Sequence, residues 1–229
     1  MKKEDIKEVF RIFTALNPNP TSELHYKNSF ELLCAVTISA QTTDAAVNKV
    51  TPKLFSLAPT PKAMVLLGEE EIAKIISSIG LYRSKAKYLV GLSQGLIDNF
   101  NGEVPKTEKE LTSLPGVGVK TARVVLNTIF DKKVIAVDTH IFRVAKRLDL
   151  SRAQEPNKMS DRLAKIIPEE YLKNAHHHLI LHGRYICKAQ KPLCDKCPIS
   201  KYCAFLNDKV QKLIRLKLIK LRSCKNNFT

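Results

Sequence analysis

The chain has 229 residues, enough to bury a core without disulfide staples. Lysine and arginine outnumber aspartate and glutamate 38 to 22, a net charge of +16, which suits a polyanion rather than an acidic small molecule, with nucleic acid first and an anionic membrane surface second. No run approaches the roughly 18 to 20 apolar residues of a membrane span, and Met1-Lys2-Lys3-Glu4-Asp5 leads into a mixed amphipathic stretch rather than a secretory signal, so a cytoplasmic protein is expected.

Breakers divide the chain into intervals of ordinary helix length. They are Asn17-Pro18-Asn19-Pro20, Ala58-Pro59-Thr60-Pro61, Gly80, Asn101-Gly102 with Pro105, Leu114-Pro115-Gly116, Pro156, Pro168 and Pro192. Phe30, Leu33, Cys34, Thr37 and Ile38 keep one apolar face over two turns, which predicts a helix and places Cys34 in its core. Gly116-Val117-Gly118 sits just before a helix running through Val124, Val125, Leu126 and Ile129. Glycine there lets backbone N–H groups approach an anion, and the helix N-terminus adds unpaired donors and partial positive charge. Alone, Gly-x-Gly is also an ordinary turn. Val134-Ile135-Ala136-Val137 looks strand-like but is short and isolated, and reads as a buried connector or short helix. Asp138 before Thr139 reads by itself as a helix cap. His176, His177 and His178 are adjacent, so on a helix they point in different directions and cannot share one metal ion. The expectation is an all-α protein.

Cys187, Cys194, Cys197 and Cys203 form C-x6-C-x2-C-x5-C. Zinc ribbons pair two C-x2-C knuckles across a longer segment, so a [4Fe-4S] cluster fits these short, unequal spacings better, with zinc or unliganded thiols as alternatives. Lys188 and Lys191, between the first two cysteines, project cations suited to phosphate, although they also read as a solvated surface. After Asp208 come seven positive charges (Lys209, Lys212, Arg215, Lys217, Lys220, Arg222, Lys225) and no acid, so of the net +16 the rest of the chain keeps +9. This tail also holds Cys224, which has no evident partner, and a partial apolar stripe that could suit a membrane surface.

The order L-P-G-V-G-x-K-T-A, V-D-T-H, H-G-R and the four-cysteine spacing resembles the endonuclease III family of helix-hairpin-helix DNA glycosylase/lyases, from about Phe30 to Cys203. The resemblance implies two helical lobes: a six-helix domain at 22–132 carrying the hairpin, and a domain of 1–21 with 133–208 holding a [4Fe-4S] cluster. The tail, 209–229, exceeds the usual end of the fold. Damaged double-stranded DNA would lie across a cleft between the lobes, with the base flipped out. By the same resemblance Lys120 is the nucleophile and Asp138 the carboxylate that assists it. Gln41 fills the gap left by the flipped nucleotide, and Leu81 is the wedge opposite. Gly116, Val117 and Gly118 form the phosphate-binding hairpin, His140 faces the DNA, and the four cysteines hold the cluster. Val119 departs from a position often basic in the family. An adenine glycosylase relative is disfavoured by the presence of Lys120, and a non-catalytic DNA-binding module by the pairing of Lys120 with Asp138. A monomer acting on oxidised pyrimidines is expected.

Overall fold

A computed structural model describes residues 1–208, and the basic tail with Cys224 lies outside the described residues. The described residues form α-helices joined by turns, with two short 3-10 turns and no strand among them. The chain divides into an inserted unit, Thr21–Ala136, and a terminal unit made of Met1–Pro20 and the chain from Val137 onward.

The inserted unit is built around α2 (Ser29–Ile38). Every residue from Phe30 to Ile38 is buried, so this helix has no solvent face and is wrapped by its neighbours. Asn28 caps it by accepting from the Glu31 N–H at 2.9 Å, while the Glu31 carboxylate accepts from the Lys27 N–H at 2.6 Å, a reciprocal arrangement that satisfies two backbone donors. Cys34 is fully buried here, and its thiol is pushed far up by desolvation. Against α2 pack α3 (Asp44–Leu57), α5 (Tyr82–Phe100) and α7 (Val119–Phe130), while α4 (Pro61–Ile75) packs on α5 and α3 and α6 (Glu108–Thr112) on α7. Gly68, at φ 76° and ψ 162°, breaks α4 into two helical segments. Leu54, Met64, Ile72, Leu89, Leu92 and Leu96 are among the side chains that close the core. Residues 134–136 run on from α7 as neither helix nor strand, and Ile135 and Ala136 are fully buried, so of the two readings of this run the connector holds.

The hairpin turn between α6 and α7 docks on α5. A Cβ added to Gly91 would meet Pro115 at 3.1 Å and one on Gly95 would meet Leu114 at 2.9 Å, so two glycines one helical turn apart give the turn a smooth surface to lie on. Gly116 takes φ +75°, and a Cβ there would fall 2.5 Å from Tyr88 Cγ. Both the backbone and the close approach therefore require glycine.

In the terminal unit α1 (Lys3–Leu16) packs on α10 (Glu169–Tyr185) through Phe10 stacked on Tyr171, 6.2 Å between centroids, and Phe13 against His178 and His182 at 5.8 and 5.1 Å. His176, His177 and His178 are all core residues, at 4, 7 and 4% exposure. His178 Nε2 lies 2.8 Å from the Asn17 carbonyl. α8 (Thr139–Arg147) approaches α10 at Gly183, where a Cβ would meet His140 Cβ at 2.9 Å. α9 (Pro156–Ile166) completes the unit with Pro156 at its first turn, where the missing N–H costs nothing.

Two outcomes follow from this packing. Gly116→Ala is expected to lower unfolding stability by about 2–3 kcal/mol in urea titration, from an unfavourable φ plus the clash with Tyr88. Burial pulls His177 down to about 4. Its neutral form is the one that folds, so its contribution is complete above the unfolded value of about 6.5 and is lost as pH falls through 4. His177→Gln should therefore show on the order of 3 kcal/mol less acid destabilisation between pH 6.5 and 4 than the parent chain, read by urea unfolding at each pH.

Candidate DNA-repair site and cluster loop

The helix starts of the inserted unit are of two kinds. Asn28, Thr43, Thr60 and Thr107 cap α2, α3, α4 and α6 with their side chains, whereas α5 begins at Leu81 and α7 at Gly118 with no side-chain cap. The first N–H groups of α7 are therefore left to an outside acceptor. Gly118 is exposed, and a Cβ there would meet nothing within 4 Å, so the approach to these donors is open. Lys120 is the second residue of α7 and its side chain is exposed. Val117, by contrast, turns its side chain into the core at 5% exposure. Any contact from Val117 to a phosphate is through its backbone.

Gln41 and Leu81 both sit at exposed turn tips with left-handed backbones, φ 57° and φ 60°. Leu81 is 65% exposed, so its side chain takes no part in the core. Among the described residues the other non-glycine positions with positive φ are Asn101, Asp131, Asp149 and Lys191. Asparagine and aspartate tolerate this conformation by local hydrogen bonding. The three that lack that excuse, Gln41, Leu81 and Lys191, are all residues singled out from the sequence for DNA contact.

In the terminal unit Asp138 is half-buried and is the N-cap of α8, its Oδ1 accepting from the Ile141 N–H at 2.7 Å. The cap reading is thus correct, and it fixes the carboxylate in one orientation. His140 Nδ1 lies 3.3 Å from Arg143 Nη2. A guanidinium only donates, so Nδ1 accepts, which leaves Nε2–H as the donor of the neutral ring.

The loop after α10 brings the four C-terminal cysteines together. The Leu193 N–H returns to the Ile186 carbonyl at 3.0 Å, and single 3-10 turns at Cys194–Lys196 and Ser200–Tyr202 fold the rest. Cys187, Cys194, Cys197 and Cys203 line one pocket together with Arg147 and His182. All four are free thiols. Four thiolates on one zinc ion at about 2.3 Å stand roughly 3.8 Å apart. Among the described residues no three His, Cys, Asp or Glu side chains are grouped to hold a single ion. The four cysteines share one pocket, and a set made wholly of thiols suits a cube that would take one thiolate at each iron. Burial pushes the Cys197 thiol up to about 11 and raises Cys203 as well. Iron coordination supplies the charge compensation that lets such groups serve as thiolates.

The loop is held by two arginines that sequence reasoning did not single out. Arg143 donates to the carbonyls of Cys187 and Gly183 at 2.9 and 2.8 Å. Arg147 donates to those of Lys188 and Ala189 at 2.7 and 3.0 Å, and to Cys187 Sγ at 3.3 Å, with its guanidinium over the Phe205 ring. Their i, i+4 spacing on α8 marks one face. Lys188 and Lys191 are exposed on the loop so anchored.

The family pattern of the HhH-GPD superfamily base excision DNA repair proteins matches residues 34–169, and that of the iron-sulfur binding domain of endonuclease III matches 187–203. Endonuclease III of Rickettsia felis is 50% identical over 210 residues, covering 92% of this chain and 99% of that protein. The chain belongs to the endonuclease III family. Endonuclease III of Escherichia coli K12 is 46% identical over 205 residues, 90% of this chain and 97% of that protein. A solved structure of a trapped endonuclease III–DNA covalent intermediate, an estranged-adenine complex, superposes with a TM-score of 0.85 at 44% identity, covering 92% of this chain and 99% of that chain. A non-covalent endonuclease III–DNA complex superposes at 0.86 with the same identity and coverage. As a member of this family the protein is a DNA glycosylase and abasic-site lyase of base-excision repair, binds DNA and carries a [4Fe-4S] cluster. No helix of the described residues is long and apolar enough to cross a membrane.

Arg147→Met is expected to release the cluster about tenfold to a hundredfold faster into a chelator, followed by visible absorbance and iron content. Arg147→Lys should not restore retention, because one ammonium cannot span two carbonyls and a sulfur as the planar guanidinium does.

Proposed function

We propose that this family member acts as a monomer on double-stranded DNA in the cytoplasm, excising oxidised pyrimidines and cutting the abasic product by β-elimination through a Schiff base on Lys120. The observation that carries the reading is the placement of Lys120, exposed in the first turn of a helix whose N-terminus has no side-chain cap and whose entry turn is glycine-lined. The neutral amine attacks C1′, and the glycosidic bond breaks with its electron pair leaving on the base. Nitrogen then loses a proton and the sugar ring opens to the Schiff base. That cation acidifies the adjacent C2′ proton, whose loss expels the 3′ phosphate. Asp138 accepts the proton that Lys120 must lose and offsets positive charge developing at the sugar.

The remaining assignments follow the same reading. Gln41 fills the space of the flipped nucleotide and Leu81 enters the stack opposite. The backbones of Gly116, Val117 and Gly118, the His140 Nε2–H, Lys188 and Lys191 take phosphates without reading sequence. Cys187, Cys194, Cys197 and Cys203 hold the cluster, whose part is structural: it fixes a loop too short to hold itself. Residues 22–132 make the hairpin domain, 1–21 with 133–208 the cluster domain, and 209–229 the tail.

Borohydride trapping on a duplex holding one oxidised thymine tests this reading. The parent chain should give a covalent adduct and Lys120→Ala none. Asp138→Asn keeps an asparagine able to cap α8, so its melting temperature should stay near that of the parent chain while single-turnover excision falls by about a hundredfold or more. An adduct from Lys120→Ala equal to the parent's would remove the nucleophile assignment. A loss of activity in Asp138→Asn matched by loss of fold would reduce Asp138 to a cap.

A further inference from the structure

Lys85 is buried to an extent lysine rarely tolerates without a charged partner, at 4% exposure. It lies on α5, and its ammonium donates to the Thr42 hydroxyl at 2.7 Å. An ammonium has three donors, so this one neutral acceptor replaces only part of the hydration that burial removes, and burial lowers the pKa of Lys85 accordingly. As a packing element alone it is a poor choice, since an apolar side chain of the same length would fill the space without that penalty.

What it joins gives it a different meaning. Thr42 closes the turn that carries Gln41: its N–H donates to the Ser39 carbonyl at 3.0 Å, and Ser39 in turn is tied back to α2 by its hydroxyl on the Val36 carbonyl at 2.8 Å. At the other end the Lys85 N–H donates to the Leu81 carbonyl at 3.0 Å, closing the first turn of α5. A continuous run of hydrogen bonds therefore passes from the Ser39 carbonyl through Thr42 and Lys85 to the Leu81 carbonyl. It connects two turns far apart in sequence, each bearing an exposed non-glycine residue in the left-handed conformation.

We propose that Lys85 is a positioning residue that, through Thr42, fixes the Gln41 turn against the Leu81 turn so that the two side chains enter duplex DNA as one preassembled device. The inference rests on the reading of Gln41 and Leu81 as the residues that penetrate the base stack. Two independent turns would each have to be ordered at the moment of insertion, whereas a linked pair has that ordering done in the free protein, and a small misplacement at either tip is felt at the reacting nucleotide.

The test is a double-mutant cycle on the full holoprotein with Lys85→Met and Thr42→Val, with Thr42→Ser as the conservative control. Two readouts are taken: single-turnover excision on a damaged duplex, and the fluorescence of a 2-aminopurine placed opposite the lesion, which rises when that base is unstacked. Each single variant should slow excision about tenfold, the scale of one hydrogen bond to a charged group, and the double variant should be no slower than either. The fluorescence rise should shrink in all three and return in Thr42→Ser, a recovery that a role in folding alone would not tie to the Thr42 hydroxyl. A hundredfold loss in the double variant, or wild-type behaviour of both singles, overturns the link. Should Lys85→Met fail to fold, Thr42→Val against Thr42→Ser decides, with equal behaviour of the two overturning the proposal. Gln41→Ala and Leu81→Ala run alongside separate the two levels. If they leave both readouts unchanged, the stack-penetration reading fails. If they lower both readouts while the Lys85 and Thr42 variants do not, the link alone fails.

Discussion

A helix with no polar side has to be surrounded, and α2 imposes that condition on the whole inserted unit. From Phe30 to Ile38 it buries every residue. At roughly 1.5–3 kcal/mol for each large apolar side chain taken from water, this one helix accounts for a large share of the core's driving force. Its neighbours are placed by the need to cover it, and the segments leaving it are placed by where it stops. Gln41 comes three residues after its last turn and Thr43 already caps α3, so the turn between them has little freedom. α7, which begins with the hairpin and Lys120, contributes Ala122, Val125 and Leu126 to the same core. The reactive edge of the unit is thus set by burial that happens behind it.

The terminal unit solves a different problem. The segment from Cys187 to Cys203 has few apolar residues to bury, and beyond two single 3-10 turns it forms no regular structure. Coordination and a pair of arginines replace a core. Arg143 and Arg147 reach three carbonyls and a sulfur of this loop, and Arg143 also reaches the Gly183 carbonyl near the end of α10. The guanidinium of Arg147 also places positive charge beside the Cys187 sulfur, where it would offset the negative charge of a thiolate holding the cluster. Holding the backbone and balancing the charge are one act here, so Lys188 and Lys191 project from a rigid base although they sit in a loop.

What could be read in the sequence was what is local. The four-cysteine spacing, the Leu-Pro-Gly turn before an apolar helix and the Asp-Thr start of α8 are each decided by neighbours within a turn or two, and each appears in the structure where the pattern puts it. The residues that escaped are those whose partners are distant. A lysine in an amphipathic helix reads as surface, and nothing near Lys85 in sequence announces that it is buried beside a threonine of the turn between α2 and α3. Arg143 and Arg147 bond mostly to main-chain oxygens some 40 residues on, and a carbonyl leaves no signature in a sequence. Val117 shows what a motif leaves open, since membership of the hairpin does not say that its side chain belongs to the core and only its backbone is left to meet a phosphate. The break at Gly68 was hidden because the residues around it are good helix formers on both sides.

The left-handed residues tie these strands together. A non-glycine residue in that conformation costs about 1–2 kcal/mol and persists only where its surroundings leave no alternative. Glycine would have relieved the strain, and Gly80 stands next to Leu81 without taking a positive φ. The strain is therefore carried by residues with side chains to present. For Gln41 it is enforced by the Ser39–Thr42 bond and the hydroxyl held by Lys85. For Leu81 it is enforced by the start of α5, and for Lys191 by the Leu193 return to Ile186 together with the grip of Arg147 on the loop. In each case the fold spends stability to aim one exposed side chain outward, an arrangement that packing alone would not select. In the proposed function the same three positions are those at which a partner with a base stack and phosphates would give the exposed group something to do.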